Sequence, residues 1–246
     1  HKGGMHVDAI LKDPLSFEHV SPQAVGNERR ILMSEVSGRS TILKRIQEVA
    51  PWACKDSPET QYIIEELKRL EHEGYQFEGA ESSFDLLVRR ALGKDTKFFH
   101  VKDFRVLCEE HWQDDYSASA IIKVRVDGRE EISAAEGDGP VNALDRALRK
   151  ALRIFYPQLD RMRLTDYKVR VLDTGKATAA KVRVHIESTD GEKVWGTVGV
   201  SQNIIEASWS ALIDSIEYFL YQHHVERPTQ ENPALEGESG DSAPPE

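Results

Sequence analysis

Ser117–Tyr156 reads SASAIIKVRVDGREEISAAEGDGPVNALDRALRKALRIFY, and Ala179–Tyr218 reads AAKVRVHIESTDGEKVWGTVGVSQNIIEASWSALIDSIEY. Each stretch is an alternating strand, an Asp-Gly turn, a second strand and an amphipathic helix. Alternation puts every second side chain on one sheet face, and Asp-Gly between two such runs signals a hairpin. Asp127-Gly128 recurs 63 residues on as Asp190-Gly191, and Ala147-Leu148 recurs 64 on as Ala211-Leu212. Two copies are too few for a solenoid. They predict a pseudo-symmetric domain whose equivalent edges pair within or between chains, the layout of a binding and dimerisation module.

Working outward, a strand is expected over Phe104–Trp112 before the first copy and over Tyr167–Leu172 before the second. Inside the copies the strands are Ser117–Val126, Glu130–Ala135, Ala180–Glu187 and Lys193–Val200. The first helix places Val141, Leu144, Leu148, Ala151 and Phe155 on one face; the second places Ile205, Trp209, Leu212, Ile216 and Phe219. Upstream, Gly38 to Gly93 reads as three helices. Ser40 or Thr41 caps the first, which carries Ile42, Ile46, Val49 and Ala50. Ser57-Pro58 opens the second as N-cap and first helical residue, ahead of Ile63, Ile64, Leu67 and Leu70. The third holds Phe84, Leu86, Leu87 and Leu92. His1 to Ser34 is irregular apart from a helical turn near Asp8–Leu11. The fold class is α+β, a small helical subdomain followed by a pseudo-twofold domain of two strand-strand-strand-helix units. The expected divisions are 1–34, a linker; 35–100, the helical subdomain; 101–224, the two-copy domain; and 225–246, a disordered Pro/Gly/Ser/Glu tail.

Hydrophobic residues at 39% and charged residues at 30% describe a soluble globular chain. No apolar run has the length of a membrane span. The formal charge of −10 argues against a nucleic-acid partner, although half of it sits on the tail. Cys54 and Cys108 lie far apart with no CxxC spacing, so a reducing, cytoplasmic compartment is expected. The start His1-Lys2-Gly3-Gly4 reads as the cut end of a longer chain.

Glu136-Gly137-Asp138-Gly139-Pro140 is the sharpest local feature. Two glycines let a ligand approach the backbone, and the N–H groups at the helix start favour an anion such as a carboxylate. A tight strand-to-helix turn with Pro at the first helical position uses the same residues, and both readings stand. It is not a dinucleotide fingerprint, which needs a third glycine and a parallel sheet. His1 and His6 are five apart and do not share a helical face, which speaks against a metal pair. His6 ahead of Asp8 suits either proton transfer or an exposed linker. His111, His185, His223 and His224 have no carboxylate or cysteine at useful spacing and read as structural. Paired catalytic carboxylates, a nucleophile elbow, a phosphate loop and an HxH metal motif do not occur.

HKGGMHVDAILKDPLSFEHVSPQAVGNERRILMSEVSGRS (His1–Ser40) resembles the end of the catalytic region in citramalate synthases, of the isopropylmalate and homocitrate synthase family. Gly74–Leu87, Glu136–Leu152, Asp166–Asp173 and Val198–Tyr218 extend the resemblance to about His224. GYQFEGAESSF and SQNIIEASW resemble the citramalate branch. The resemblance implies an upstream TIM barrel that holds a divalent metal and condenses acetyl-CoA with pyruvate, releasing citramalate and CoA. It implies no cofactor in this fragment, which should be inactive alone. His6 matches a linker histidine that assists the condensation in such enzymes. Phe17 lacks the hydroxyl of the tyrosine that many relatives carry nearby. The C-terminal module of the family binds an end-product amino acid at a homodimer interface, here isoleucine. The matching positions are Gly137, Gly139, Val141 and Asn142, with Tyr167, Val171 and Thr178. An isopropylmalate synthase with leucine as effector and a dimerisation domain with no effector are the alternatives.

Overall fold

A computed structural model describes residues 9–10, 13, 18–27, 39–93, 97–109 and 117–225. Three helices come first: α1 (Arg39–Val49), α2 (Pro58–Glu73) and α3 (Glu81–Ala91). The Ser57 hydroxyl accepts the Thr60 N–H at 3.2 Å and Pro58 is the first helical residue, so α2 opens as expected. α1 begins at Arg39, so Ser40 and Thr41 lie inside the helix and not before it. Ala9 and Ile10 are helical, inside the turn expected there.

Two three-stranded antiparallel sheets follow, each closed by a helix. Sheet A is β1 (His100–Glu109), β2 (Ser117–Val126) and β3 (Arg129–Gly137), and α4 (Pro140–Leu152) follows it. Sheet B is β4 (Arg163–Val171), β5 (Val182–Thr189) and β6 (Val194–Ser201), with α5 (Ile204–Gln222) after it. The repeat extends to irregularities. The ladder β1–β2 slips between Val101 and Asp103, and β4–β5 slips between Leu164 and Asp166, 63 positions on. These bulges explain why β1 and β4 start earlier than the alternation suggests. An extra residue inverts the in-out pattern, so the alternation is readable only from Phe104 and Tyr167 onward. The expected end of β1 at Trp112 lies outside the described residues.

The turns differ between copies. Val126 pairs with Arg129, leaving Asp127-Gly128 as a two-residue loop with φ of 48° and 71°. Both values are positive, as a type I′ turn demands. Thr189 pairs with Val194 and leaves four loop residues. Asp190 organises them, its Oδ1 accepting the N–H groups of Glu192 at 2.9 Å and Lys193 at 2.7 Å.

The inner side of sheet A (Ala118, Ala120, Ile122, Val124) packs on Leu144, Ala147, Leu148 and Ala151 of α4. Ile216, Phe219 and Leu220 of α5 join that cluster, while Ala207, Ala211 and Leu212 pack on Val184 and Ile186 of sheet B. The helical subdomain covers the other side of sheet B. Val198, paired with outward-facing His185, belongs to the core of Ile46, Ile63, Leu67, Phe77 and Phe84. Ser83 donates to Asp214 of α5 at 2.8 Å and accepts the Val198 N–H at 3.1 Å; Arg90 pairs with Asp214 at 2.7 Å. Arg183 of β5 donates to the Gly74 carbonyl at 2.6 Å and to Gln76 at 2.5 Å. The subdomain therefore leans on the second copy.

Asp85 of α3 lies at this junction, with the Tyr218 hydroxyl at 3.4 Å and Arg45, Arg89 and Glu48 around it. Burial pushes its carboxyl up to about 6, against the pull of Arg45 and Arg89. A folded-state value above the unfolded one means the folded chain binds more protons between roughly pH 4 and 6, so this group's contribution falls as pH rises through that window. Asp85→Asn is expected to stabilise the chain by on the order of 2 kcal/mol at neutral pH and by little at about pH 4. Urea unfolding across the window reads the difference; a gain that does not grow with pH refutes it.

Candidate functional site

The junction between β3 and α4 is built by its glycines in two different ways. Gly137 ends β3 opposite Ala118. A Cβ there would lie 2.5 Å from the Ala143 nitrogen and 2.6 Å from Asn142 Oδ1, so the chain itself needs this residue small. Gly139 is the N-cap of α4 with an extended φ of −172°, and a Cβ there would meet nothing within 4 Å. The tight turn therefore belongs to Gly137, and the open approach to Gly139. Pro140 is the first helical residue and no side chain caps the helix. Asn142 is exposed and its Oδ1 accepts the Asp138 N–H at 3.3 Å.

The second copy closes the same junction with side chains. Asn203 Oδ1 accepts the Ile205 N–H at 2.9 Å, and Ser201 Oγ accepts the Asn203 N–H at 3.1 Å while donating to Glu206. Donors that copy two satisfies internally are left to other partners in copy one.

β4 supplies the apolar part. Tyr167, Val169 and Val171 pair with Ile186, Val184 and Val182, the core-facing residues of β5, and so share their sheet face. They are nonetheless 37, 41 and 48% exposed. On β1 the corresponding Phe104 and Val106 are half-buried, Phe104 lying 4.8 Å, ring to ring, from Trp209 of α5, while Cys108 is exposed. Ser208 Oγ donates to the Ile204 carbonyl at 2.6 Å, so the Tyr167 hydroxyl, 2.7 Å away, donates to Ser208. Val141, half-buried, packs into the same cluster as Val184, Ile186, Leu164 and Val182. Gly137, Gly139, Val141 and Asn142 thus share one junction, and Val141 reaches the core behind β4. Thr178 is exposed on the 3₁₀ turn Thr174–Ala179 that leads from β4 to β5. Val169 stands between Tyr167 and Val171 at the i, i+2, i+4 spacing of one strand face, the signal that marks it. His6 lies outside the described residues.

His223 does have a carboxylate partner: its Nε2 lies 3.0 Å from Oδ2 of Asp190, which is distant in sequence and near only because the β5–β6 loop folds over the end of α5. His185 sits against the subdomain, half-buried, and burial pushes it below the usual histidine range, with the Glu78 carbonyl opposing. Among the described residues no three His, Cys, Asp or Glu lie close enough to hold a metal ion, and no helix is long and apolar enough to cross a membrane.

Comparison with known proteins gives this arrangement a context. Residues 78–220 match the family model described as the LeuA allosteric (dimerisation) domain, and residues 1–74 match the homocitrate synthase post-HMGL domain-like model. An (R)-citramalate synthase of Geobacter sulfurreducens is 54% identical over 90% of this chain and 42% of its own length. The (R)-citramalate synthases of Aquifex aeolicus and Synechocystis sp. are each 48% identical, over 92% and 89% of this chain and 43% and 41% of theirs. The chain thus spans about two fifths of the length of the curated relatives it matches.

Proposed function

Because the chain belongs to the family of the LeuA allosteric (dimerisation) domain, we propose that it is the regulatory and dimerising portion of a citramalate synthase, with isoleucine as feedback effector. The full-length enzyme would form citramalate and CoA from acetyl-CoA, pyruvate and water, with a divalent metal in its catalytic barrel. This portion alone would be inactive. The uncovered core-facing stripe Tyr167–Val169–Val171 carries the reading. A strand face paired to core residues yet open to water calls for a cover, and a second copy supplies it. An amino acid bound there would place its carboxylate at the uncapped start of α4 beside Gly139 and its side chain against Val141 and the β4 valines. Isoleucine would act by favouring one dimer arrangement over another, which requires different affinities for the two.

Calorimetry with isoleucine, leucine and valine tests the effector. Saturable heat with isoleucine preferred is expected; a clear preference for leucine sinks the assignment. Gly139→Val isolates the site, because the chain has room for the side chain and the extended φ suits valine. The variant should keep its melting temperature within about 2 °C and lose at least about tenfold in isoleucine affinity, hence its ligand-induced thermal shift. Unchanged affinity moves the effector elsewhere.

A further inference from the structure

The repeat sets Arg146, Arg149 and Lys150 of α4 and Arg153 at its C-cap against Ser210, Ile213, Asp214 and Glu217 of α5, 64 positions on. On α5 this face is occupied. Asp214 binds Ser83 and Arg90, and Glu217 accepts the Phe98 N–H. On α4 the subdomain has no counterpart, and the face is cationic instead.

The four cations stand at i, i+3, i+4 and i+7, one side of the helix. They line a surface pocket of about 310 Å³, completed by Ala135 of β3, by Leu159 and Asp160 of the 3₁₀ turn Pro157–Arg161 and by Met162 just after it. Arg149 is committed at two nitrogens, Nε to Asp145 at 2.7 Å and Nη1 to the Met162 carbonyl at 2.8 Å; its buried Nη2 has no partner among the described residues. Among the described residues Arg146 and Lys150 reach neutral acceptors, the Glu136 carbonyl at 3.1 Å and the Ala134 carbonyl at 3.2 Å. Arg153 pairs with Asp160. Four cations against the two carboxylates Asp145 and Asp160 leave the pocket positive, in a chain whose net charge is −10.

We propose that this pocket binds a phosphate-bearing anion, at a site separate from the effector position at Gly139. Guanidinium groups match phosphoryl oxygens bidentately, and a donor buried without a partner gains most from such a ligand. Leu159 and Met162, both buried, close the floor with apolar surface.

Pyrophosphate titrated calorimetrically into the 246-residue chain is the direct test. Saturable binding is expected at low ionic strength, weakening as the screening length falls below ~10 Å. Arg149→Gln should cost about tenfold in affinity. Since Arg149 also braces Met162, exposed Lys150→Gln and Arg146→Gln provide variants that leave the fold intact, each expected to cost roughly threefold. Lys68→Gln on α2 should bind as the parent does. ADP run in parallel names the source: tighter binding than pyrophosphate means that the Leu159–Met162 floor holds a nucleoside, equal binding means a free phosphate, and both support the site. Absence of saturable binding, parent-like affinity in both Lys150→Gln and Arg146→Gln, or a clear preference for a polyglutamate peptide over pyrophosphate overturns it.

Discussion

Gly196→Val is expected to detach the helical subdomain from sheet B and to cost more than about 3 kcal/mol, beyond the usual range for overpacking. A Cβ at Gly196 would lie 1.7 Å from the Gly79 carbonyl oxygen and 2.9 Å from its carbon. Both obstacles are backbone, so no rotamer relieves them. The segment that must move carries the bonds that join the two parts: Gly74 and Gln76 to Arg183 before it, Ser83 to Val198 and Asp214 after it. Displacing it exposes the Val198 and Phe77 core and leaves Asp214 with one partner fewer. Urea unfolding should show a lower midpoint, and limited proteolysis should find new cleavage near Gln76–Ala80. Gly175→Val is the matched control, because nothing lies within 4 Å of its Cβ position. A Gly196→Val variant within about 0.5 kcal/mol of the parent would refute the docking of the subdomain on sheet B.

The doubled unit made the architecture readable from residues alone, down to the two sheets and the helix that closes each. What stayed hidden traces to identifiable causes. The bulges near Asp103 and Asp166 invert the alternation, so the first turns of β1 and β4 read as loop. The two Asp-Gly pairs look equivalent, yet β2–β5, β3–β6 and α4–α5 correspond at an offset of 64. Asp190 therefore aligns with Val126, and its carboxylate, absent from that position in the first copy, folds a wider loop and holds His223. At the candidate site, sequence identified the Gly137–Gly139 turn but could not divide the roles. Only the position of Ala143 shows that the first glycine is a packing requirement and the second an opening. Val169 escaped because exposure on a core-facing side is a property of three dimensions.

The asymmetry of the copies follows from one event, the docking of the subdomain on the second. α5 must satisfy partners on several sides, so its buried polar residues Ser208, Asp214, Ser215 and Glu217 are all hydrogen-bonded, Ser215 to Ser188 of β5 at 2.8 Å. α4 meets a core on one side and water on the other, and its sequence is correspondingly amphipathic, with Ala143, Leu144, Ala147, Leu148, Ala151 and Leu152 buried. The same division applies to the strands: Phe104 on β1 is covered by Trp209 from α5, whereas the residue 64 positions before Trp209 is Asp145, which is turned to Arg149 and covers nothing on β4. The second copy's helix shields the first copy's edge strand at Phe104, whereas α4 reaches the sheet B cluster through Val141 and leaves the Tyr167–Val169–Val171 stripe exposed.

Val169→Asp is accordingly expected to turn a dimer into a monomer. Val169 is the middle residue of the uncovered stripe, opposite buried Val184. In one isolated protomer an aspartate there stays hydrated, since the residue is already about two fifths exposed, so the melting temperature of the monomer should move little. Under a second copy the same carboxylate loses its water among valines, at an effective cost of about 3 kcal/mol or more, roughly a hundredfold in dimer dissociation constant. Sedimentation equilibrium over a concentration series reads that change directly. Because the proposed effector position adjoins this stripe, isoleucine should also lose its hold on the variant, and adding it should shift the parent's association constant but not the variant's. A Val169→Asp chain that dimerises as the parent does would place the interface on another surface, and with it the explanation for why a core-facing strand is left bare.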